Sequence, residues 1–115
     1  MITRLWHGWT TPENADAYET LLETTVFPGI LSRNVAGFRR IELLRLDGAD
    51  ETNFVTLMWF DDMAAVRRFA GDDPATAVVP PAARALLARF DPESVHFTLR
   101  AARVPLDQAS SSASQ

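Results

Sequence analysis

Two histidines are the only side chains in this chain whose ordinary pKa suits a general base near neutral pH, because the sequence contains neither cysteine nor lysine. His7 and His96 both fall in segments that we expect to form strands. On the later strand, His96 shares one face with Thr98 and Arg100. We therefore expect His96, with His7 as the alternative, to accept a proton from a substrate, while Arg100 or Thr98 stabilises the resulting oxyanion. Both imidazoles could instead be packed or hydrogen-bonded without a catalytic role.

Aromatic side chains provide the apolar walls that a small-molecule site requires, and this chain holds three Trp, seven Phe and one Tyr. Trp6 alternates with Arg4 and Gly8 on the first expected strand, and a glycine beside an indole leaves room for a flat ligand. Phe60 would form a second wall in the same layer. The candidate substrate-binding residues are Trp6, Thr56, Trp59, Phe60 and Thr98. For most aromatic side chains, packing in the core is the alternative role.

Other chemistries lack the residues that they need. Without cysteine there are no disulfides, thiolate metal sites or iron–sulfur clusters. The two histidines do not have the HxH or HxxxH spacing of a metal site, and the sequence has no glycine-rich phosphate loop, serine-nucleophile motif or paired-carboxylate spacing. We therefore expect neither a metal nor a bound cofactor.

Composition limits the class of protein. A chain of 115 residues with 47% apolar and 23% charged residues fits one globular domain. The net charge of −4 argues against nucleic acid as a partner. No apolar run approaches the ~18 residues of a membrane span, and the N-terminus lacks the layout of a signal peptide, so we expect a cytoplasmic protein. The domain should cover residues 1–104, followed by a disordered, Ser-rich tail over 105–115.

Hydrophobic spacing predicts the elements that must position the candidate residues. The first helix should open with a capping box at Thr10 and Glu13 and should kink or stop near Pro28. The second helix should be capped by Asp61 and should end at Gly71. The expected strands cover residues 2–9, 38–46, 52–60 and 94–103.

A short third helix is expected from Pro80 to Phe90, which makes the order strand, helix, strand, strand, helix, helix, strand. That order is the βαββαβ pattern of the ferredoxin-like α+β fold with one extra short helix. The third strand is apolar on both faces, and the helices can cover only one of them. We therefore expect a homodimer, a dimeric α+β barrel, in which Val55, Leu57 and Trp59 face a second copy of the sheet.

Several short motifs occur in order along the chain: Trp6-x-Gly8-x-Thr10-x-Pro12 with Ala15-Asp16-x-Tyr18, Phe60-Asp61-Asp62 with Ala65-Val66-x-x-Phe69-Ala70-Gly71, Ala77-Val78-Val79-Pro80, and His96-Phe97. Together they cover nearly all of residues 2–100 and resemble antibiotic-biosynthesis-monooxygenase-like proteins. The resemblance implies a dimer of ferredoxin-like subunits with a pocket between sheet and helices. It also implies chemistry like that of the anthrone oxygenases of polyketide pathways, which oxidise an aromatic substrate with O2 and no bound cofactor.

The chain departs from the patterns of that family and of a related branch. Phe60 stands where the family usually has Trp at the end of the third strand, and Thr56 stands where the anthrone oxygenases carry Asn. A related branch that degrades haem needs an Asn on the first strand, where this chain has Trp6, and a histidine after the second helix, where it has none. Haem degradation is therefore not expected.

The residues and the resemblance together favour a cofactor-independent monooxygenase that acts on an aromatic or polyketide-type small molecule. A base, His96, would remove a proton, and the electron-rich carbanion would react with O2. Two alternatives stay open. The same pocket could catalyse proton chemistry alone, as an isomerase, cyclase or lyase. The protein could also be an accessory protein that binds a small molecule without turnover.

Overall fold

The computed structural model describes residues 1–106, so the final nine residues of the expected tail lie outside the described residues. Five strands are present: β1 (Ile2–Thr10), β2 (Phe38–Asp47), β3 (Thr52–Phe60), β4 (Leu87–Phe90) and β5 (Val95–Thr98). The α-helices are α1 (Ala15–Leu21), α2 (Phe27–Ser32), α3 (Met63–Ala70) and α4 (Pro81–Leu86). No helix within residues 1–106 is long and apolar enough to cross a membrane.

The strands form one antiparallel sheet in the order β2-β3-β1-β4, and β5 also pairs with β1. The strands β4 and β5 share one edge of β1, because β4 pairs with residues 8–10 and β5 pairs with residues 2–5. The helices pack on one face of this sheet. This arrangement confirms the expected ferredoxin-like α+β fold.

Alternation along β1 and β3 decides which side chains meet the helices. Arg4, Gly8 and Thr10 on β1 are buried, and so are Phe54, Met58 and Phe60 on β3, whereas the residues between them are only half-buried. The core divides into two clusters, one under α1 and α4 and one under α3. The alternate side chains of each strand point to the open face of the sheet, which the helices do not cover.

The first helix passes Pro28 instead of stopping there. A π-helical turn (Leu22–Val26) separates α1 from α2, and the backbone N–H of Phe27 donates to the carbonyl of Leu22. Proline lacks the N–H for the next hydrogen bond and crowds the preceding turn, so the wider turn absorbs the mismatch. A 3-10 turn (Pro12–Asn14) precedes α1, and its cap is Thr11 instead of the expected Thr10. The Thr11 side chain accepts a hydrogen bond from Asn14 N, while Thr10 is the buried end of β1.

The expected third helix ends early, and its second half is the strand β4. Leu86, Leu87 and Phe90 have helical spacing, but residues 87–90 pair with the free edge of β1, with Phe90 opposite Gly8. Pairing with an open strand edge outweighs the local helical pattern. The last strand is also shorter than expected: β1 begins at Ile2, which is paired with Thr98, so residues beyond 98 have no strand to follow.

Asp62, and not the expected Asp61, caps α3. The Asp62 carboxylate accepts a hydrogen bond from Ala65 N at 2.9 Å. The Asp61 carboxylate instead pairs with Arg39 at the surface, at 2.6 Å. The sequence alone fits either residue as the N-terminal cap, and only the backbone conformation shows which of the two caps the helix.

We expect Asp62→Ala to lower the free energy of unfolding by about 1 kcal/mol, because it leaves the first N–H groups of α3 without an acceptor. Asp61→Ala is the matched control, and its effect should be much smaller because the Asp61–Arg39 pair is exposed. Urea unfolding followed by tryptophan fluorescence measures both. A larger loss for Asp61→Ala would contradict the assignment of the cap.

Candidate functional site

A cavity lies between the two core clusters, on the helix-covered face of the sheet. Along this face of β3, Thr56 stands between the larger side chains of Phe54 and Met58, and Trp6 is its partner on β1. A short polar side chain in an otherwise apolar row leaves the clusters unjoined at this point. The cavity holds about 510 Å³ of empty space, including its opening to solvent.

The walls of the cavity are mostly apolar, with four aromatic side chains: Trp6, Tyr18, Phe27 and Phe69. Its polar lining residues are Arg4, Thr56 and Ser94. A largely apolar cleft with a few polar groups is the usual form of a small-molecule site. Burial raises the pKa of Tyr18 to about 12, so its phenol is protonated at neutral pH.

The cavity adjoins a surface groove where the first helix approaches residues 78–80. This groove shares Val26, Ile30, Phe69, Val78 and Pro80 with the cavity. Val78 is 57% exposed although it is apolar. The π-helical turn also contributes to this rim, and such turns are frequent at functional sites.

Trp6 lines the cavity, but the expected slot for a flat ligand beside Gly8 is absent. A methyl group at Gly8 would lie 2.8 Å from Cη2 of Trp6 and 3.0 Å from Leu87 Cδ2, so the indole itself covers the glycine. The indole N–H donates to the carbonyl of Asp91 at 2.7 Å, which fixes the ring. Gly8 therefore accommodates the indole of Trp6.

Arg4 is the charged residue of the cavity lining, and the sequence patterns did not single it out. It is 4% exposed, and its guanidinium donates to the carbonyls of Pro74 and Thr76, the latter at 3.1 Å. Its carbon Cζ lies 5.7 Å from the centre of the Phe69 ring. Burial lowers the pKa of Arg4. Strand alternation places Arg4 on the same face as Trp6 and Gly8, and this face meets the core, so the sequence already indicated that Arg4 is not a surface residue.

His96 lies opposite Arg4 in the pairing of β5 with β1, and its Nε2 is 3.0 Å from Arg4 Nη1. A guanidinium can only donate, so Nε2 accepts, which requires the neutral imidazole protonated on Nδ1. Desolvation and then the charge of Arg4 hold the pKa of His96 below its usual value. The cavity lining does not include His96, so its link to the cavity runs through Arg4.

The lowered pKa of His96 predicts a pH dependence of stability. The folded state binds fewer protons here than the unfolded state, so the free energy of unfolding should fall as pH drops from about 7 through the ordinary histidine pKa of about 6.5. His96→Gln should reduce this loss, and chemical unfolding between about pH 7.5 and pH 5 measures it. His7→Gln, on the opposite face of the sheet, is the control. An unchanged slope in His96→Gln would contradict the prediction.

Three of the other candidates lie away from the cavity. His7 is on the open face of the sheet, where it stacks on Trp9 with ring centres 5.5 Å apart. Trp59 is on the same open face and donates its indole N–H to Glu42 at 2.7 Å. Phe60 is fully buried in the core cluster under α3. Of the residues expected from sequence, the structure brings Trp6 and Thr56 to the cavity and His96 beside it.

Thr98 and Arg100 are exposed, and the structure does not group them with the imidazole of His96 in a pocket. Thr98 is paired with Ile2 at the end of the sheet, and Arg100 lies beyond the last strand. The charge that acts on His96 is that of Arg4, not that of Arg100. Within residues 1–106, no group of three His, Asp or Glu side chains is placed to hold a metal ion.

Comparison with known proteins identifies a family and several structural neighbours. The family model described as Antibiotic biosynthesis monooxygenase matches residues 1–81. A monooxygenase from the gene ActVA-Orf6 of Streptomyces coelicolor, solved with nanaomycin D, is similar over 90% of this chain and 91% of its own, with 24% identity and a TM-score of 0.63. No curated protein sequence matches the chain.

Two further solved structures share the fold. Rv0793 from Mycobacterium tuberculosis is 17% identical over 90% of this chain and 98% of its own, with a TM-score of 0.57. SnoaB, a cofactor-independent oxygenase from Streptomyces nogalater, is 22% identical over 88% of this chain and 95% of its own, with a TM-score of 0.55. These likenesses cover more of the chain than the part that the family model matches.

Proposed function

Because the chain belongs to the antibiotic biosynthesis monooxygenase family, we propose that it is a cofactor-independent monooxygenase for an aromatic or polyketide-type small molecule. The observation that carries the proposal is the cavity, whose four aromatic walls suit a flat aromatic substrate. Two structural neighbours are described as a monooxygenase and a cofactor-independent oxygenase, and the first was solved with nanaomycin D.

The proposed reaction begins with loss of a proton from an activated CH₂ group of the substrate. The carbanion reacts with O2 to form a C–O bond, and protonation gives a hydroperoxide. Loss of water then leaves a ketone, so one oxygen atom enters the product and the other leaves in water. The protein supplies a base, aromatic walls and exclusion of bulk water.

His96 is the proposed base. Its neutral imidazole has an unprotonated Nε2, which is the form that a general base needs. The same lone pair accepts the hydrogen bond from Arg4, so Arg4 Nη1 must move away before Nε2 takes a proton. Thr56, in the cavity lining, is the proposed polar contact for the substrate, and Trp6 is the proposed wall.

We also propose that the working form is a homodimer in the cytoplasm. The helices cover only one face of the sheet. The other face leaves Leu44 50% and Phe97 52% exposed, beside the half-buried Val55, Leu57 and Trp59. A second copy of this face would remove that apolar surface from water.

Oxygen uptake with a hydroxylated anthrone as the probe substrate tests the proposed activity. The protein should accelerate uptake above the spontaneous rate, with and without a metal chelator, and ¹⁸O2 should label one oxygen atom of the product. Trp6→Ala should lower the rate, and Trp9→Ala, on the open face, is its control. Conversion to an isomer without oxygen uptake would indicate proton chemistry alone, and binding without conversion would indicate an accessory protein. Either result would overturn the monooxygenase proposal.

A further inference from the structure

Arg4 is a buried positive charge without a negative partner among the described residues. The ion pairs of residues 1–106 involve Arg39, Arg40, Arg45 and Arg89, all near the surface, and none involves Arg4. Desolvation is the resolved cause of its pKa shift, with no carboxylate acting against it. Burying an unpaired charge is costly, and an anion bound beside Arg4 would offset that cost.

The hydrogen bonds of Arg4 satisfy only part of its donor capacity. Nη1 donates to the carbonyl of Pro74 and to Nε2 of His96, and Nη2 donates to the carbonyl of Thr76. A guanidinium has five N–H donors, so Nε–H and one Nη2–H have no acceptor among residues 1–106. The three acceptors in place are neutral, and they leave the charge itself uncompensated.

The cavity is the open space beside this charge. Arg4 is part of its lining, and the neighbouring walls are apolar, which strengthens the attraction between Arg4 and any anion that enters. Arginine is well suited to bind planar oxyanions through two donors at once. A tether for the 74–76 segment would need donors but would not need the charge.

We propose that Arg4 binds an ionised oxygen of the substrate, so that the cavity takes aromatic anions in preference to neutral aromatic molecules of the same shape. The anion is a phenolate, an enolate or a carboxylate, and the chemistry shared by these groups is a negatively charged planar oxygen. This inference rests on the proposed function, since it names the charge class of the substrate for the same cavity.

Binding of matched probe pairs tests the proposal independently of turnover. Calorimetry at pH 8 compares 2-naphthoate with 2-naphthamide, and ionised 4-nitro-1-naphthol with its methyl ether. Wild-type protein should bind at least one anion about tenfold more tightly than its neutral partner, as expected for one hydrogen-bonded charge. A preference in the first pair identifies carboxylates, and one in the second pair identifies phenolates.

Two variants separate charge from structure. Arg4→Met, of similar length, should bring the affinity ratio close to one by weakening only the anion. Arg4→Lys should keep part of the preference, because it keeps the charge while losing the planar fork. Circular dichroism checks that both variants fold, and Arg4→Lys carries the test if Arg4→Met does not.

Three results would overturn the proposal. The wild-type protein could bind the anion and its neutral partner equally tightly, or it could bind neither probe detectably. The substitution of Arg4 could also weaken the binding of both probes by the same factor. The last of these would make Arg4 only a tether of the 74–76 segment. A preference for anions without oxygen uptake would overturn the monooxygenase proposal and leave the role of Arg4 intact. Oxygen uptake without a preference for anions would overturn the role of Arg4 and leave the monooxygenase proposal intact.

Discussion

His96→Ala should lower the turnover of the probe substrate by a factor of about 10² to 10⁴, the usual contribution of a general base. Histidine is the only residue type in this chain with a suitable ordinary pKa, and His96 is the one that contacts a cavity residue. His7→Ala should leave turnover unchanged, because His7 stacks on Trp9 on the opposite face of the sheet. Initial rates of oxygen uptake, corrected for the spontaneous reaction, measure both variants.

His96→Gln separates catalysis from positioning. Its side-chain amide can accept the hydrogen bond from Arg4 but cannot take a proton near neutral pH. If His96 is the base, both His96→Gln and His96→Ala lose turnover. If His96→Gln restores turnover that His96→Ala lacks, the histidine only positions Arg4. Full turnover in both variants would show that the substrate ionises without help from this residue.

Light scattering of the full chain at micromolar concentration should give about twice the chain mass of 12.8 kDa. Full burial of an exposed large apolar side chain is worth roughly 1.5–3 kcal/mol, and each partly exposed side chain on the open face would gain a share of this. Leu57, at the centre of this face between Leu5 and Glu42, should be covered by the second copy. Leu57→Arg should therefore give a monomer, because it would bury an unpaired charge in the interface.

Ala64→Arg is the matched control for that substitution. Ala64 is exposed on α3, on the side of the molecule away from the open face of the sheet. The substitution Ala64→Arg adds the same charge as Leu57→Arg, and the mass measured by light scattering should remain that of the dimer. A wild-type protein that stays monomeric at micromolar concentration would contradict the dimer, and a dimer that survives Leu57→Arg would place the interface elsewhere.

The fold was accessible from sequence because the period of the apolar residues differs between its strands and helices. In the strands β2 and β3 and in the helix α3, apolar residues recur at regular spacing, because each element packs one side against the core between sheet and helices. The strand β4 was not accessible, since Leu86, Leu87 and Phe90 fit a helix equally well, and its structure depends on the free edge of β1. A distant strand edge leaves no trace in the local pattern.

The candidate site shows the same division between local and distant information. Alternation along β1 already separates His7 from Trp6, because neighbouring residues of a strand point to opposite faces. Alternation cannot relate β1 to β5, and only the pairing of Arg4 with His96 shows that these two side chains meet. Arg100 was therefore assigned to His96 by its spacing, while the arginine in contact with it comes from the other end of the chain.

The two sides of the cavity differ in how firmly their backbone is held. β1 is hydrogen-bonded to β3 along one edge and to β4 and β5 along the other, so the backbone that carries Arg4 and Trp6 is held on both sides. The opposite wall includes part of the π-helical turn and residues 78–80, which belong to a segment whose regular pairing is a single bridge from Thr76 to Glu93. The charged group and the residues that shape the opening therefore lie on separate parts of the chain. We therefore expect exchange of rim residues such as Val26, Ile30 and Val78 to change which molecules the cavity admits without disturbing the central strand.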